Sequence, residues 1–199
     1  MKYKMKKWIE FFVGIIILTF GARLLLLSEI GVGGLDAVAI GLANLFNKKI
    51  GIMIIFLSLI LIGIGNILDR KVTIGPVPTA LVIGECYDLW GRVLFEHIVL
   101  PHVQGWMGFV YILGLLIAPA GAAIYICSDI STGAIDYLML AITKRYQIAM
   151  RNSRIMLEAL FIVVGYMIGG PIGMGTIGIM LFWGPILQVY YNFMRKWLS

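Results

Sequence analysis

Long runs of Leu, Ile, Val, Phe, Met, Ala and Gly, interrupted by short polar clusters, set the pattern of this chain. Six runs are long enough to predict bilayer-crossing helices: residues 8–27, 50–68, 77–94, 106–127, 155–168 and 172–191, the fifth starting about a turn earlier, near Arg151. A crossing helix needs ~20 mainly apolar residues. Two further apolar stretches, 35–46 and 134–142, follow Gly33-Gly34 and Gly133. At ~1.5 Å per residue they are too short to cross, and they are too apolar to lie free in water. They predict half-helices, either re-entrant or resting in the headgroup region. The basic N-terminus resembles the start of a secretory signal, but Leu27-Ser28-Glu29-Ile30 follows the apolar run where a small-residue cleavage site would stand. This predicts an uncleaved first span.

Composition narrows the class. Of 199 residues, 61% are hydrophobic and 13% charged, and the mean hydropathy is +0.98. A soluble domain holds ~45–50% apolar and ~25% charged residues, and one of this size leaves much of its surface in water. A soluble globular protein, a nucleic-acid-binding module and a disordered chain are therefore excluded. The expectation is an all-α polytopic membrane protein, a single membrane domain over residues 1–199. Cys86 and Cys127 lie in apolar runs and read as small hydrophobes. His97 and His102, five residues apart, make only a weak metal signal, and no G-x-x-x-x-G-K-[ST] loop is present. No metal, cofactor or catalytic residue is expected.

The positions of the charges orient the spans. With the N-terminus inside and six crossings, 12 of the 16 Lys and Arg residues fall in cytoplasmic segments. Only Lys48 and Lys49 fall outside, while Arg23 and Arg92 sit near the outer ends of spans and can snorkel. Lys and Arg resist translocation, so both termini are expected to be cytoplasmic.

A shift of 100 residues aligns 8–90 with 108–190 without a gap, giving 15 identities in 83 pairs. The matches cluster. Ser28-Glu29-Ile30-x-x-Gly33-x-Leu35-Asp36 meets Ser128-Asp129-Ile130-x-x-Gly133-x-Ile135-Asp136, Gly21-Ala22 meets Gly121-Ala122, and Gly65, Gly75 and Gly84 meet Gly165, Gly175 and Gly184. Each unit, about 8–94 and about 106–194, has three spans and a half-helix after the first. An odd number of spans inserts the second unit upside down, an inverted-topology repeat of the kind found in secondary transporters.

The run Gly21-x-x-Leu24…Ile30-Gly31-Val32-Gly33-Gly34-Leu35-Asp36…Gly41-Leu42 resembles the first-half signature of the YczE/YyaS/YitT family of bacterial integral membrane proteins. Asp136, Arg154, Glu158, Gly165, the stretch Gly169-Gly170-Pro171-x-Gly173-x-Gly175-Thr176 and Gly184-Pro185 match the second half. The resemblance implies a bacterial plasma-membrane protein and leaves its chemistry open.

Charged groups at membrane depth cost roughly 2.5–3.5 kcal/mol each on insertion scales, which makes them functional candidates. Asp36 and Asp136 follow Gly at the start of the half-helices, where each can cap the helix or serve as a cation or proton site. Glu85, Asp88 and Arg92 share one helical face, with Asp88 and Arg92 one turn apart. Glu158 lies one turn after Arg154, so the two can neutralise each other. Alternatively, Arg151 and Arg154 face an anionic solute or headgroup. Arg23 has no repeat counterpart, and Glu85 or Asp88 is its expected partner. Gly165, Gly169, Gly170, Gly173 and Gly175 would let the last two spans cross closely, or form a hinge. Gly184-Pro185 and Pro119 would kink their helices.

The leading expectation is a small secondary transporter or exporter of a small polar or amphipathic compound, coupled to protons through Asp36, Asp136 or Glu85. The alternatives are a non-transporting accessory or scaffold protein and a lipid-translocating protein. The expected partners are the bilayer and a small solute, with a homodimer or a membrane partner protein left open. Neither an enzyme nor a nucleic-acid partner is expected.

Overall fold

The computed structural model describes residues 2–95 and 104–198. Among them every regular element is helical: α1 Lys2–Leu27, α2 Gly34–Phe46, α3 Ile50–Asp69, α4 Pro76–Trp90 with a π-helical turn Gly91–Phe95, α5 Gln104–Cys127, α6 Ala134–Tyr146, α7 Met150–Met167 and α8 Met174–Leu198. Helices α1, α3, α5 and α8 are long and apolar enough to cross a membrane. Helix α4 is a 15-residue helix. Helix α7 has 18 residues and carries Arg151, Arg154 and Glu158. His97 and His102 lie outside the described residues.

The helices end where local chemistry stops them, and they do so twice. After α1 the Ser28 hydroxyl donates to Leu25 O at 2.6 Å and accepts from Ile30 N–H at 3.4 Å. After α5 the Ser128 hydroxyl donates to Tyr125 O at 2.5 Å and accepts from Ile130 N–H at 3.4 Å. Glu29 and Asp129 both take positive φ, at 57° and 53°. Gly33 and Gly133 are the extended N-caps of α2 and α6, and the left-handed Asn47 and Gln147 close those helices. The 100-residue register of the sequence is thus a register of backbone conformation.

The chain folds as two compact units, and neither coincides with a sequence repeat. The first comprises Met1–Val32, Cys86–Ile130 and Pro171–Ser199. In it α1 lies against α5. A Cβ on Gly121 would sit 2.6 Å from Gly14 O, one on Gly14 2.8 Å from Gly121 O, one on Gly21 2.7 Å from Ala118 Cα, and one on Gly114 2.9 Å from Gly21 O. Position 14 thus meets 121 and 21 meets 114, so the helices run antiparallel. The contact is also isologous: Gly14 is the repeat counterpart of Gly114, and Gly21 of Gly121. Phe11 and Tyr125 close one end edge to face, with ring centroids 6.5 Å apart. Helix α8 leans on α5, where the Tyr111 hydroxyl donates to Gly175 O at 2.7 Å. It leaves Ile177, Leu181, Phe182, Val189 and Phe193 exposed.

The second unit comprises Gly33–Glu85 and Ser131–Gly170. Val38 of α2, Leu61 and Ile62 of α3, Ala134, Tyr137 and Leu138 of α6, and Leu157 and Phe161 of α7 form its core. Helix α2 runs beside α7 in the same direction. A Cβ on Gly34 would be 3.1 Å from Glu158 O, and one on Gly41 3.1 Å from Ile168 O. Helix α6 repeats this on α3. Gly65 makes room for the Tyr137 ring, the Tyr137 hydroxyl donates to Asn66 Oδ1 at 2.7 Å, and Lys144 pairs with Asp69. Ala37, Val38, Ala39, Ile40 and Gly41 are all buried. Five consecutive residues cover more than a full turn, so protein surrounds α2 there, whereas a helix resting on a surface keeps one side open.

Candidate functional site

The second unit gathers three of the candidate charges. Arg154 sits on α7 and Glu158 one turn further, so both point from the same side of that helix. Asp136 comes from the first turn of α6. Arg154 Nη1 donates to Asp136 Oδ1 at 2.8 Å, and Nη2 lies 3.0 Å from Glu158 Oε1. The guanidinium thus serves two carboxylates, each through a different nitrogen. The other oxygen of Glu158 accepts the Gly34 N–H of α2 at 3.3 Å.

That last bond has a local cause. The first N–H groups of a helix have no partner within it, and the N-cap of α2 is Gly33, which has no side chain to offer. The carboxylate of Glu158 fills the place from a neighbouring helix and meets the positive end of the α2 dipole. Glycine at position 34 allows the approach, since a Cβ there would be 3.0 Å from Glu158 Oε2. Asp36, in the first turn of α2, brings Oδ2 to 3.5 Å from where a Gly33 Cβ would lie. It borders the same helix end, as expected of a residue that complements the dipole. Glu158 is the least exposed of the trio, with 11% of its side-chain surface open against 25% for Asp136 and 27% for Arg154.

The repeat does not duplicate this chemistry. The counterparts of Arg154 and Glu158 are Ile54 and Ser58. The network is built from both copies of the fold but charged by one of them.

The first unit carries a separate constellation. Arg23 of α1 donates from Nε to Tyr87 O at 2.8 Å, lies 3.7 Å from Asp88 and stacks over the Tyr87 ring at 4.1 Å. Gly91 leaves the space its guanidinium occupies. Asp88 therefore pairs with Arg23, where the sequence also offered Arg92 one turn away. Asp88 is buried, whereas Glu85 and Arg92 are exposed, so the helical face drawn for all three divides. The side chain of Arg151 lies outside the described residues.

The glycine-rich stretch after α7 accommodates neighbours other than those expected. Gly170 abuts the carbonyl of Ala37 on α2, Gly173 that of Ile30, and Gly175 the Tyr111 ring and Ile30. Pro171 lies in the same stretch between helices, and Gly169 takes φ +75°. A Cβ at Gly184 would meet nothing within 4 Å, and Pro185 lies inside the continuous α8. Among the described residues no three His, Cys, Asp or Glu side chains come together as a metal site. Sequence reasoning missed the bond from Glu158 to α2 and the stack of Arg23 on Tyr87. The one available signal was that the acid at 158 replaces a serine at 58 within an apolar helix.

The model of a family of unknown function, DUF6198, matches residues 5–192. The chain belongs to the DUF6198 family. An uncharacterized protein of Bacillus subtilis (strain 168), YyaS, is 31% identical over 192 residues, covering 96% of this chain and 94% of that protein. The uncharacterized membrane protein YczE of the same organism is 27% identical over 186 residues, covering 92% and 84%. An uncharacterized protein of Haemophilus influenzae is 23% identical over 181 residues, covering 90% and 81%. No solved structure matches. The resemblance to YczE and YyaS drawn from the glycine and acid motifs therefore holds across nearly the whole DUF6198 chain. Several long apolar helices and a relative that is a membrane protein make it a multi-pass membrane protein.

Proposed function

We propose that this protein crosses the plasma membrane six times as two inverted halves, with both termini cytoplasmic. We propose that it acts as a secondary transporter of a small polar or amphipathic solute, with no enzymatic role. The antiparallel, isologous contact of α1 with α5 supports the inversion. A two-fold relating antiparallel spans is perpendicular to them and therefore lies in the plane of the membrane. The ion pairs agree with the orientation drawn from the charges: Lys7–Asp129 and Lys144–Asp69 each join residues assigned to the cytoplasmic side, and Arg23–Asp88 joins residues near the outer side.

One observation carries the transport reading. Helix α2 begins against Glu158, about halfway along α7, and ends at the α2–α3 turn. With 13 residues it spans ~20 Å of a ~30 Å hydrocarbon core. It is then a re-entrant half-helix whose N-terminus opens at mid-membrane beside an Arg and two acids. Helix α6 repeats the geometry from the opposite side. Broken helices ending at the midplane are tolerated only where protein or a cavity satisfies them, and that is where secondary transporters bind solute.

Flux into proteoliposomes from a panel of small polar metabolites, with and without a pH gradient, tests the reading. Uptake of at least one solute that falls tenfold or more in Arg154→Met supports it. Absence of flux for the whole panel, together with a membrane protein co-purifying one to one, replaces it with an accessory role.

A further inference from the structure

Of the four long apolar helices among the described residues, α8 is the least apolar and the least covered. Only 6% of its span is buried, against 33% for α1, 39% for α3 and 50% for α5. In lipid the reverse order is expected, because polar side chains need protein to satisfy them. Gly184, Gln188 and Asn192 follow one another at four-residue steps, so they form one row along α8, and all three are exposed. Gln188 lies seven residues before Arg195, or ~10 Å along the helix, inside the hydrocarbon thickness. Its Nε2 donates to Asn192 Oδ1 at 3.0 Å. Each side-chain amide offers two N–H donors and a carbonyl, and this bond uses one N–H and one carbonyl of the pair. The remainder stand on an exposed face. The first repeat covers the same row. A Cβ on Gly84, the counterpart of Gly184, would be 2.6 Å from Gly51 O of α3. Asp88, the counterpart of Gln188, is buried and pairs with Arg23. In the second repeat the row is open, and a Cβ on Gly184 would meet nothing within 4 Å.

We propose that the exposed face of α8 joins two copies of this chain side by side in the membrane, through a parallel α8–α8 contact at Gly184, Gln188 and Asn192. A second copy is the occupant that the chemistry fits. Copies inserted in the same orientation are related by a two-fold along the membrane normal, so each position on the row faces its own image. An amide is donor and acceptor at once and satisfies that image, which a carboxylate or a guanidinium cannot do. Helix α8 carries no charge from Met174 to Met194, so an ion-pairing partner or a lipid headgroup finds no counter-charge along the row. Glycine at position 184 lets two backbones approach closely, which brings the amides one and two turns further along within reach of each other. The contact needs no solute and stands apart from the transport reading.

Cysteine cross-linking of the full chain in native membranes tests this, in a background lacking Cys86 and Cys127. Leu181 lies on the row, and Phe182, equally exposed at 56% against 59%, lies about 100° around the helix. Copper phenanthroline is expected to link Leu181→Cys into a species that mass spectrometry identifies as two copies of this chain, and to leave Phe182→Cys monomeric. Adding Gln188→Leu with Asn192→Leu lowers the yield of the Leu181→Cys link at least tenfold. Adding Gly184→Leu does the same, although the chain itself leaves open space at that position. Circular dichroism of the purified variants checks that the helices are kept, since all three substitutions fall on an exposed face. The proposal is overturned if Leu181→Cys does not link, which leaves the face to lipid, or if both cysteine variants link equally, as random collision would give. It is overturned as well if the leucine variants link as well as their parent. A link from Leu181→Cys to a protein of another mass assigns the face to a different partner and overturns it too.

Discussion

Replacing Gly121 with alanine puts a methyl group where the backbone of α1 already lies. The added Cβ would be 2.6 Å from Gly14 O and 2.8 Å from Ile17 C. Contact at an ordinary 3.4 Å requires a displacement of at least 0.8 Å from Gly14 O. The obstructing atoms are backbone of a continuous helix, so no rotamer change relieves the clash, and the α1–α5 seam has to open along its length. A gap of 0.5–1 Å forfeits a quarter to a half of each dispersion contact, and in lipid such packing is much of what holds helices together. Overpacking costs typically 1–3 kcal/mol, and the rigid obstacle puts Gly121→Ala near the top, at about 3 kcal/mol. Gly21→Ala, its repeat counterpart, meets Ala118 Cα at 2.7 Å and costs about the same. Because Gly14 and Gly121 face each other, Gly14→Ala with Gly121→Ala costs less than the sum of the singles. Gly63→Ala and Gly108→Ala, whose Cβ meets nothing within 4 Å, serve as controls within about 0.5 kcal/mol of wild type. Reversible unfolding in mixed micelles, followed by circular dichroism, measures the five single variants and the double variant. The reasoning fails if Gly121→Ala matches the controls or if the Gly14/Gly121 double variant is fully additive.

Three further outcomes are expected. Arg154→Ala removes the cation that Asp136 and Glu158 share and costs about 3 kcal/mol, whereas Asp136→Asn, Arg154→Met and Glu158→Gln together recover most of that loss in the same unfolding assay. Each compact unit draws helices from both repeats, so a chain cut between residues 96 and 103 yields two pieces that co-purify when expressed together. Neither piece alone keeps the far-ultraviolet signal and micelle stability of the pair. In a background lacking Cys86 and Cys127, Lys48→Cys reacts with an impermeant maleimide from outside the cell, and Lys144→Cys only after the membrane is opened. Reaction of both from one side removes the inverted arrangement.

Much of the local structure is written in short stretches of the chain. Ser28 and Ser128 end their helices with the same two hydrogen bonds. Gly33 and Gly133 start the half-helices, whose first residues, 34 and 134, are 100 apart. Run length and apolarity located the helices, because chain stiffness and hydrocarbon thickness are properties a sequence carries without knowing its neighbours. The sequence left open whether α2 rests on a surface or is enclosed, since 13 apolar residues satisfy both. Only the burial of five consecutive residues, Ala37 to Gly41, decides it. Partner choice was likewise hidden. Asp88 could pair with Arg92 one turn away, and it takes Arg23 from another helix because Gly91 leaves the guanidinium room beside Tyr87. The sequence therefore determined the solvent, the elements and their repetition, each set by free energies that act within a few residues. The tertiary structure alone decided which backbones approach within van der Waals contact, and so which carboxylate shares Arg154 and reaches the end of α2. Those contacts depend on the fit between surfaces a hundred residues apart.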